Sequence, residues 1–308
     1  MLTIIKGIIY RSTGSWYQVK LLETGQIIDA RARGKMRLLD QSLTNPLAVG
    51  DIVTLQKVED GTYAIEGYDE RKNVLLRKSI KKTDNAQIIA ANIDQGLCIQ
   101  SIVRPSPKEG FIDRFLVTCE AYGVKPIIFF SKTDLAKERD LKYLTVLLNR
   151  YQNLGYETYG GSNTDINSLS SIKKALTDKK TVLTGHSGVG KSTLINALDN
   201  DLDLKTGIIS DYYEKGMHTT TFATMFDLSF GGCVIDTPGI KEFGLFNIET
   251  DELAMYFREF DQYRNTCKYD NCSHIHEPGC LVMDAFENGL IDASRYDSYM
   301  RIYESLSE

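Results

Sequence analysis

Two short segments of this 308-residue chain carry residue types at the spacing that phosphate chemistry needs. Gly185-His186-Ser187-Gly188-Val189-Gly190-Lys191-Ser192 follows the apolar run "KTVLT" and opens "KSTLINALD". It satisfies G-x-x-x-x-G-K-[ST] in the strand, loop, helix context that gives the motif meaning. The glycines let the backbone curl so that its N–H groups face phosphate oxygens, and the helix N-terminus adds the positive end of its dipole. Lys191 is expected at the β- and γ-phosphates and Ser192 at Mg²⁺, with Thr193 beside it in the cradle. The second segment, "VIDTPG", stands 51 residues beyond Gly185. Its Asp236, at a strand tip, can hold Mg²⁺ through water, and Gly239 can offer its N–H to the γ-phosphate. Between them, "EKGMHTTTF" offers Thr219, Thr220 and Thr221 as the switch threonine for Mg²⁺ and γ-phosphate; Thr220 is favoured, and a plain β-forming run is the alternative.

A base reader is sought next, and "FFSKTDLAKERD" (129–140) has the form of one. Asp134 can accept two hydrogen bonds from guanine N1–H and N2–H₂, a donor pair that adenine lacks. Lys132 would lay its stem over the base, between Ser131 and Thr133. A charged surface turn could read the same. This one, however, ends an apolar strand, starts a helix, and is followed by every phosphate-binding segment that a GTPase requires. An ATPase or kinase survives as a reading only if Asp134 does not read the base. "YGGSNTD" (159–165) stands where a loop backing the base is expected, though its match is poor. Base loops come first and phosphate loops second, the order of a circularly permuted GTPase. The site tolerates such a cut, because the loops still gather at one end of the sheet.

Six cysteines do not suggest a secreted disulfide framework. Cys98, Cys119 and Cys233 sit in apolar contexts and read as core thiols. Cys267-x4-Cys272-x-His274-x5-Cys280 offers three thiolates and an imidazole, the set for tetrahedral Zn²⁺. With all four positions filled by protein, the zinc would be structural. His276 is a nearby competitor, or else a surface or supporting histidine; unliganded thiols are the alternative for the cluster.

These residues need elements to position them. Residues 1–70 read as five short strands punctuated by Gly, Asn, Asp and Pro, a small closed barrel of SH3 or OB type. From about residue 86 strands alternate with helices in a doubly wound α/β pattern, and "TTFATMFDLSFGGCVIDTPG" reads as a hairpin. In 251–308, "DELAMYFREF" and the stretch after Cys280 read as helices around the Cys/His knot. Residues 1–82 hold 14 Lys/Arg against 9 Asp/Glu, while the whole chain carries −5. Arg31, Arg33, Lys35 and Arg37, and the run from Arg71 to Lys82, are either a solvated surface or contacts for RNA phosphates. No run approaches the length of a membrane span, and the N-terminus lacks a basic start, so a cytoplasmic chain is expected.

Permuted motif order, a small N-terminal barrel and a Cys3His unit together resemble one family: the bacterial ribosome small-subunit-dependent GTPase A, also called RsgA, YjeQ or YloQ. The resemblance covers nearly the whole chain, through "VGD" (49–51), "IDRFL", "SKTDL", "GHSGVGKSTLIN", "HTTT", "DTPGIKEFGL" and "CKYDNCSHIHEPGC". It implies an OB-fold domain (1–70), a permuted P-loop GTPase domain (71–250) and a helical zinc-binding domain (251–308). It also implies a monomer that binds GTP or GDP with Mg²⁺, carries Zn²⁺ on Cys267, Cys272, His274 and Cys280, and acts late in maturation of the 30S subunit through its 16S rRNA. Ser131 departs from the usual Asn or Thr. Ile240 stands where Ras-like enzymes carry a water-orienting Gln, which an aliphatic side chain cannot replace. His218, beside the threonines, is a polar substitute or a surface histidine. The competing reading is a GTP-gated RNA-binding module in which hydrolysis is incidental.

Overall fold

The computed structural model describes residues 4–13, 15–33, 46–58, 61–78, 86–200, 202, 223–237, 245 and 248–307. Lys35, Arg37, Lys81, Lys82, His218, Thr219, Thr220, Thr221, Gly239 and Ile240 lie outside them.

The first five strands are β1 (Ile5–Ser12), β2 (Tyr17–Leu21), β3 (Ile27–Ala32), β4 (Ile52–Lys57) and β5 (Tyr63–Tyr68). Period-two burial turns Ile9, Val19, Ala30, Val53, Leu55 and Ile65 inward. Pairing runs β1-β2-β3-β5-β4 and returns to β1, with β3 and β5 parallel, so the sheet closes on itself as an OB-fold barrel. The SH3 alternative is thereby set aside. Strand β6 (Val74–Lys78) then pairs with β7 (Ala86–Ala91) in a separate hairpin. The "VGD" turn fastens this hairpin to the barrel. Gly50 has φ +92°, and a Cβ there would meet the Ala91 carbonyl oxygen at 2.0 Å. Buried Asp51 accepts two bonds from the Arg71 guanidinium, at 2.7 and 2.8 Å. Arg71 is therefore a structural cation rather than a free phosphate contact. Arg33 pairs with Glu66 at 2.8 Å, and Arg31 stacks on Trp16 at 3.7 Å.

The next elements are β8 (Gln95–Ser101), α1 (Glu109–Ala121), β9 (Lys125–Ser131), α2 (Glu138–Asn153), β10 (Glu157–Gly160), α3 (Ile166–Leu176), β11 (Lys180–Thr184), α4 (Lys191–Leu198), β12 (Thr224–Asp227) and β13 (Cys233–Asp236). The sheet order is β10-β9-β8-β11-β13-β12, all parallel except β12, which forms the expected hairpin with β13. Parallel strands covered on both faces read as unbroken apolar runs. Accordingly every residue of β8 is buried, as is all of β9 after Lys125. The three lone cysteines, Cys98, Cys119 and Cys233, are buried thiols.

Beyond residue 250 the "DELAMYFREF" segment departs from expectation. It forms two short 3-10 turns, Leu253–Tyr256 and Arg258–Phe260, not one helix. Phe257 between them is extended, at φ −108° and ψ 99°. That break drops its ring onto Tyr299 and beneath the Arg295 guanidinium, so packing overrides helical periodicity. Helices α5 (Leu281–Glu287) and α6 (Ala293–Ser307) follow. Their core, with Phe257, Phe260, Tyr296 and Tyr299, packs on Val117 of α1. Fully buried Arg295 joins Asp113 of α1 at 2.5 Å and Glu259 at 2.6 Å, and Tyr151 donates to Asp113 at 3.0 Å. No described helix is long and apolar enough to cross a membrane.

Candidate functional site

The C-terminal ends of β8, β9, β10, β11 and β13 form one rim, and the segments expected to bind nucleotide that lie within the described residues follow those strand ends. Gly185, Gly188 and Gly190 have φ of +142°, +78° and +98°. A Cβ on Gly185 would meet the Ile99 carbonyl oxygen at 2.2 Å, so β8 and the loop can approach only through glycine. Lys191 opens α4 and turns its ammonium back over the loop, donating to the carbonyls of Gly185 (2.7 Å) and His186 (3.0 Å). Burial pulls the Lys191 ammonium below its usual range, while the charge of Asp236 works against that. Val189 is buried beneath the loop, Ser187 and Thr193 are exposed, and Ser192 is half-buried. The His186 ring packs on Phe111, centroids 4.5 Å apart.

Asp236 ends β13 in register with Leu183 of β11, one residue short of the strand end that leads into the loop. Burial raises its carboxyl, and Lys191 and the Thr237 N–H pull the other way. A nearly buried carboxylate beside a glycine-rich loop could hold a hard divalent cation such as Mg²⁺, and Ser192 stands in the first turn of α4.

The base loop is bonded directly to the phosphate loop. Ser131, fully buried at the end of β9, donates to the Val189 carbonyl at 2.6 Å. Lys132 takes a left-handed conformation, φ +63°, and donates to the carbonyls of Gly188 (2.5 Å) and Arg104 (2.7 Å). Thr133 donates its N–H to the Gly161 carbonyl at 3.3 Å, and Asp134 stands exposed on the rim. So 131–134 touch both the phosphate loop and the 159–165 loop. That second loop contains a residue which sequence reasoning passed over. Asn163 brings its amide within 3.8 Å of the Cβ position of Gly190, and its Oδ1 is buried with no protein partner among the described residues. The adjacent Gly160-Gly161 doublet was the available signal, since Gly161 lies against Ser168 where a Cβ would come within 2.3 Å.

Away from this rim, Cys267, Cys272, His274 and Cys280 bring their ligand atoms within 4.8 Å of one another. Cys267 Sγ lies 3.9 Å from Cys280 Sγ and 3.6 Å from His274 Nδ1, and His274 Nδ1 lies 3.4 Å from Cys280 Sγ. A tetrahedron with Zn–S bonds of about 2.3 Å requires sulfur atoms about 3.8 Å apart, so the donors fit zinc through Nδ1. Tyr296 and Tyr299 donate to the carbonyls of His274 and Ser273, each at 2.6 Å, which holds the knot on α6. His276 is exposed and stands outside the four.

Comparison with known proteins gives a consistent result. A family model described as RsgA GTPase matches residues 68–246, and one described as RsgA N-terminal domain matches 6–65. The Small ribosomal subunit biogenesis GTPase RsgA of Phocaeicola vulgatus is 46% identical over 304 residues, covering 99% of this chain and 98% of the relative. The protein of the same name from Flavobacterium psychrophilum is 44% identical, covering 98% and 93%. Among solved structures, YjeQ from Thermotoga maritima superposes with a TM-score of 0.78 at 32% identity, covering 99% of both chains. YloQ, described as a circularly permuted GTPase, superposes with a TM-score of 0.74 at 29% identity, covering 99% of this chain and 96% of its own.

Proposed function

The chain belongs to the RsgA GTPase family, and on that premise we propose that it hydrolyses GTP to GDP and phosphate in the biogenesis of the small ribosomal subunit. The observation that carries the reading is the tie between Ser131 and Val189, which joins a base loop to a phosphate loop that follows it in sequence. In this reading Asp134 selects guanine, with Ser131, Lys132 and Thr133 shaping its loop. The backbone from Gly185 to Gly190 and the start of α4 through Thr193 cradle the phosphates, with Gly239 at the γ-phosphate. Lys191 neutralises developing charge on the transferred phosphoryl group. Ser192, Thr220 and Asp236 hold Mg²⁺, which supplies further charge neutralisation. His218 orients the attacking water, a task that Ile240 cannot perform. Cys267, Cys272, His274 and Cys280 hold one structural Zn²⁺.

The three units, 1–70, 71–250 and 251–308, divide the work. The barrel, together with the basic run from Arg71 to Lys82 that follows it, meets 16S rRNA on the 30S subunit at a late stage of maturation. The permuted domain carries the chemistry, and the zinc unit is docked against α1. The protein acts as a cytoplasmic monomer. Sites that lack a positioned water group turn over at roughly 10⁻⁴–10⁻² per second, and completing them adds about 10³-fold or more.

GTP and ATP turnover, with and without purified 30S subunits, tests this. GTP alone should be cleaved, at least about tenfold faster with 30S, the modest end of what site completion yields. His218→Ala should lose most of that gain and keep its GTP affinity. Equal cleavage of ATP, or fast turnover without ribosomes, would overturn the reading. Full function from a non-hydrolysing variant would establish the RNA-binding module instead.

A further inference from the structure

The barrel and the GTPase sheet share a rung. Strand β1 leaves β4 at the Ile8–Ile52 pair, and a bulge between Ile9 and Arg11 makes Tyr10 an extra residue opposite β2. Beyond the bulge Arg11 pairs with Thr224 at the start of β12, and Thr224 pairs with Asp236 at the tip of β13. One line of backbone, Arg11, Thr224, Asp236, thus runs from the barrel surface to the carboxylate assigned to Mg²⁺.

The far end of β12 is held as well. A bulge re-aims side chains, and here Ile9 and Tyr10 are both buried although they are consecutive. The Tyr10 hydroxyl donates to Asp227 Oδ1 at 2.5 Å, and the Lys20 ammonium donates to Oδ2 at 2.6 Å. The same ammonium lies 5.4 Å from the centroid of the Tyr10 ring. Burial, then the bond and charge of Asp227, keep the Tyr10 phenol protonated far above its usual range, so it remains a donor. An exposed Lys–Asp pair alone contributes little. The bond from the buried phenol to Asp227 is the stronger member.

We propose that Tyr10, Lys20 and Asp227 are positioning residues that couple occupation of the barrel by ribosomal RNA to occupation of the nucleotide site, by fixing β12 between the barrel and β13. The proposal rests on the ribosomal reading above. Strand β12 has four residues, with β1 on one side and β13 on the other. A displacement of the barrel must therefore break the Asp227 bonds or carry β12 with it, and Asp236 is the rung next to Thr224. Coupling of this kind is reciprocal: whatever RNA does to nucleotide affinity, nucleotide does to RNA affinity by the same factor.

The test is equilibrium binding of the full-length protein to purified 30S subunits, in a non-hydrolysable GTP analogue and in GDP. The wild-type affinity ratio between the two states should fall within roughly 5–150-fold. Tyr10→Phe combined with Lys20→Ala should bring that ratio close to one, and Asp227→Asn should do the same. Lys20→Arg, which keeps the ion pair, should retain it. Tyr10→Phe removes a single oxygen far from the nucleotide loops, so the GDP affinity of the free protein should stay near wild type even if its melting temperature falls. A ratio unchanged in the double variant would overturn the proposal, as would an equal loss of subunit affinity in both nucleotide states. A wild-type ratio of one would overturn it too, leaving ribosome-stimulated hydrolysis standing. A wild-type chain that binds no 30S subunit would overturn the ribosomal reading and the proposal together.

Discussion

Ser131 Oγ lies 2.6 Å from the carbonyl oxygen of Val189, which is 58 residues further along the chain. The first of these residues ends the strand that leads into the base loop, and the second belongs to the phosphate loop; both are buried. The segments proposed to read guanine and to hold phosphate are thus parts of one hydrogen-bonded body. Strands β8 and β9 are in register to their last pair, Ser101 and Ser131.

Ser131→Ala should weaken GDP binding by roughly fivefold, the effect of losing one buried hydrogen bond of about 1 kcal/mol. Guanine over adenine preference should be unchanged, since Asp134 is untouched. Titration calorimetry with GDP and ADP measures both, and a wild-type GDP affinity would show that the tie does not hold the loop.

Asp134→Asn should weaken GDP and improve xanthosine diphosphate, whose extra carbonyl suits an amide donor. A competition titration between the two diphosphates reads the reversal. Retained GDP preference would move base reading to the 159–165 loop, where Asn163 is the nearest amide to Gly190.

Metal analysis of the purified protein should find about one Zn²⁺ per chain. Cys272→Ala should lose it and expose α5 and α6 to proteolysis while nucleotide still binds, and His276→Ala should keep it. Cys280 also caps α5, its Sγ accepting from the Met283 N–H at 3.4 Å, so Cys280→Ala should loosen that helix more than Cys272→Ala does.

Glu109 anchors the C-terminal unit. It accepts from Tyr143, Arg150 and Ser294, and Arg150 reaches on to Asp292 at 2.9 Å. Burial raises its carboxyl, but the Ser294 and Tyr143 bonds and the Arg150 charge outweigh burial and lower it from the ordinary 4.5. A depressed carboxylate contributes stability above its unfolded value and loses it as pH falls through the folded one. Glu109→Gln should therefore melt below wild type at pH 7, and the gap should close on acidification below about pH 4.5. A gap that is constant with pH would mean that its charge plays no part.

Legibility followed the physics of each element. The strands that end at the 185–192 loop, at Asp236 and at the SKTD loop were readable, because each motif needs particular residue types at fixed spacing after a strand. The closeness of the Cys3His donors was readable from their spacing, and the permutation followed from the order of those motifs. The 3-10 break at Phe257 was not readable, because it depends on Tyr299 and Arg295 about 40 residues away in sequence. Nor was the role of Arg71, which in sequence belongs to a basic run and in space neutralises Asp51. Charge counting cannot separate a solvated cation from a buried one. Tyr10 likewise looked like any barrel residue, since a bulge leaves no mark on a sequence that alternates.

The Arg295–Asp113 pair spans 182 residues, and this bears on how the chain is made. Synthesis at roughly 5–20 residues per second puts about 10–35 seconds between the two partners. During that interval the carboxylate of α1 has no guanidinium, and β8, which is to lie at the centre of the sheet, waits for β11. The barrel, by contrast, is complete by Tyr68 and can fold as soon as it emerges. The nascent protein thus carries a finished barrel ahead of an unfinished enzyme. Helix α6 brings the guanidinium that Asp113 needs, so a chain ending before residue 295 would leave that buried carboxylate of α1 without its cation.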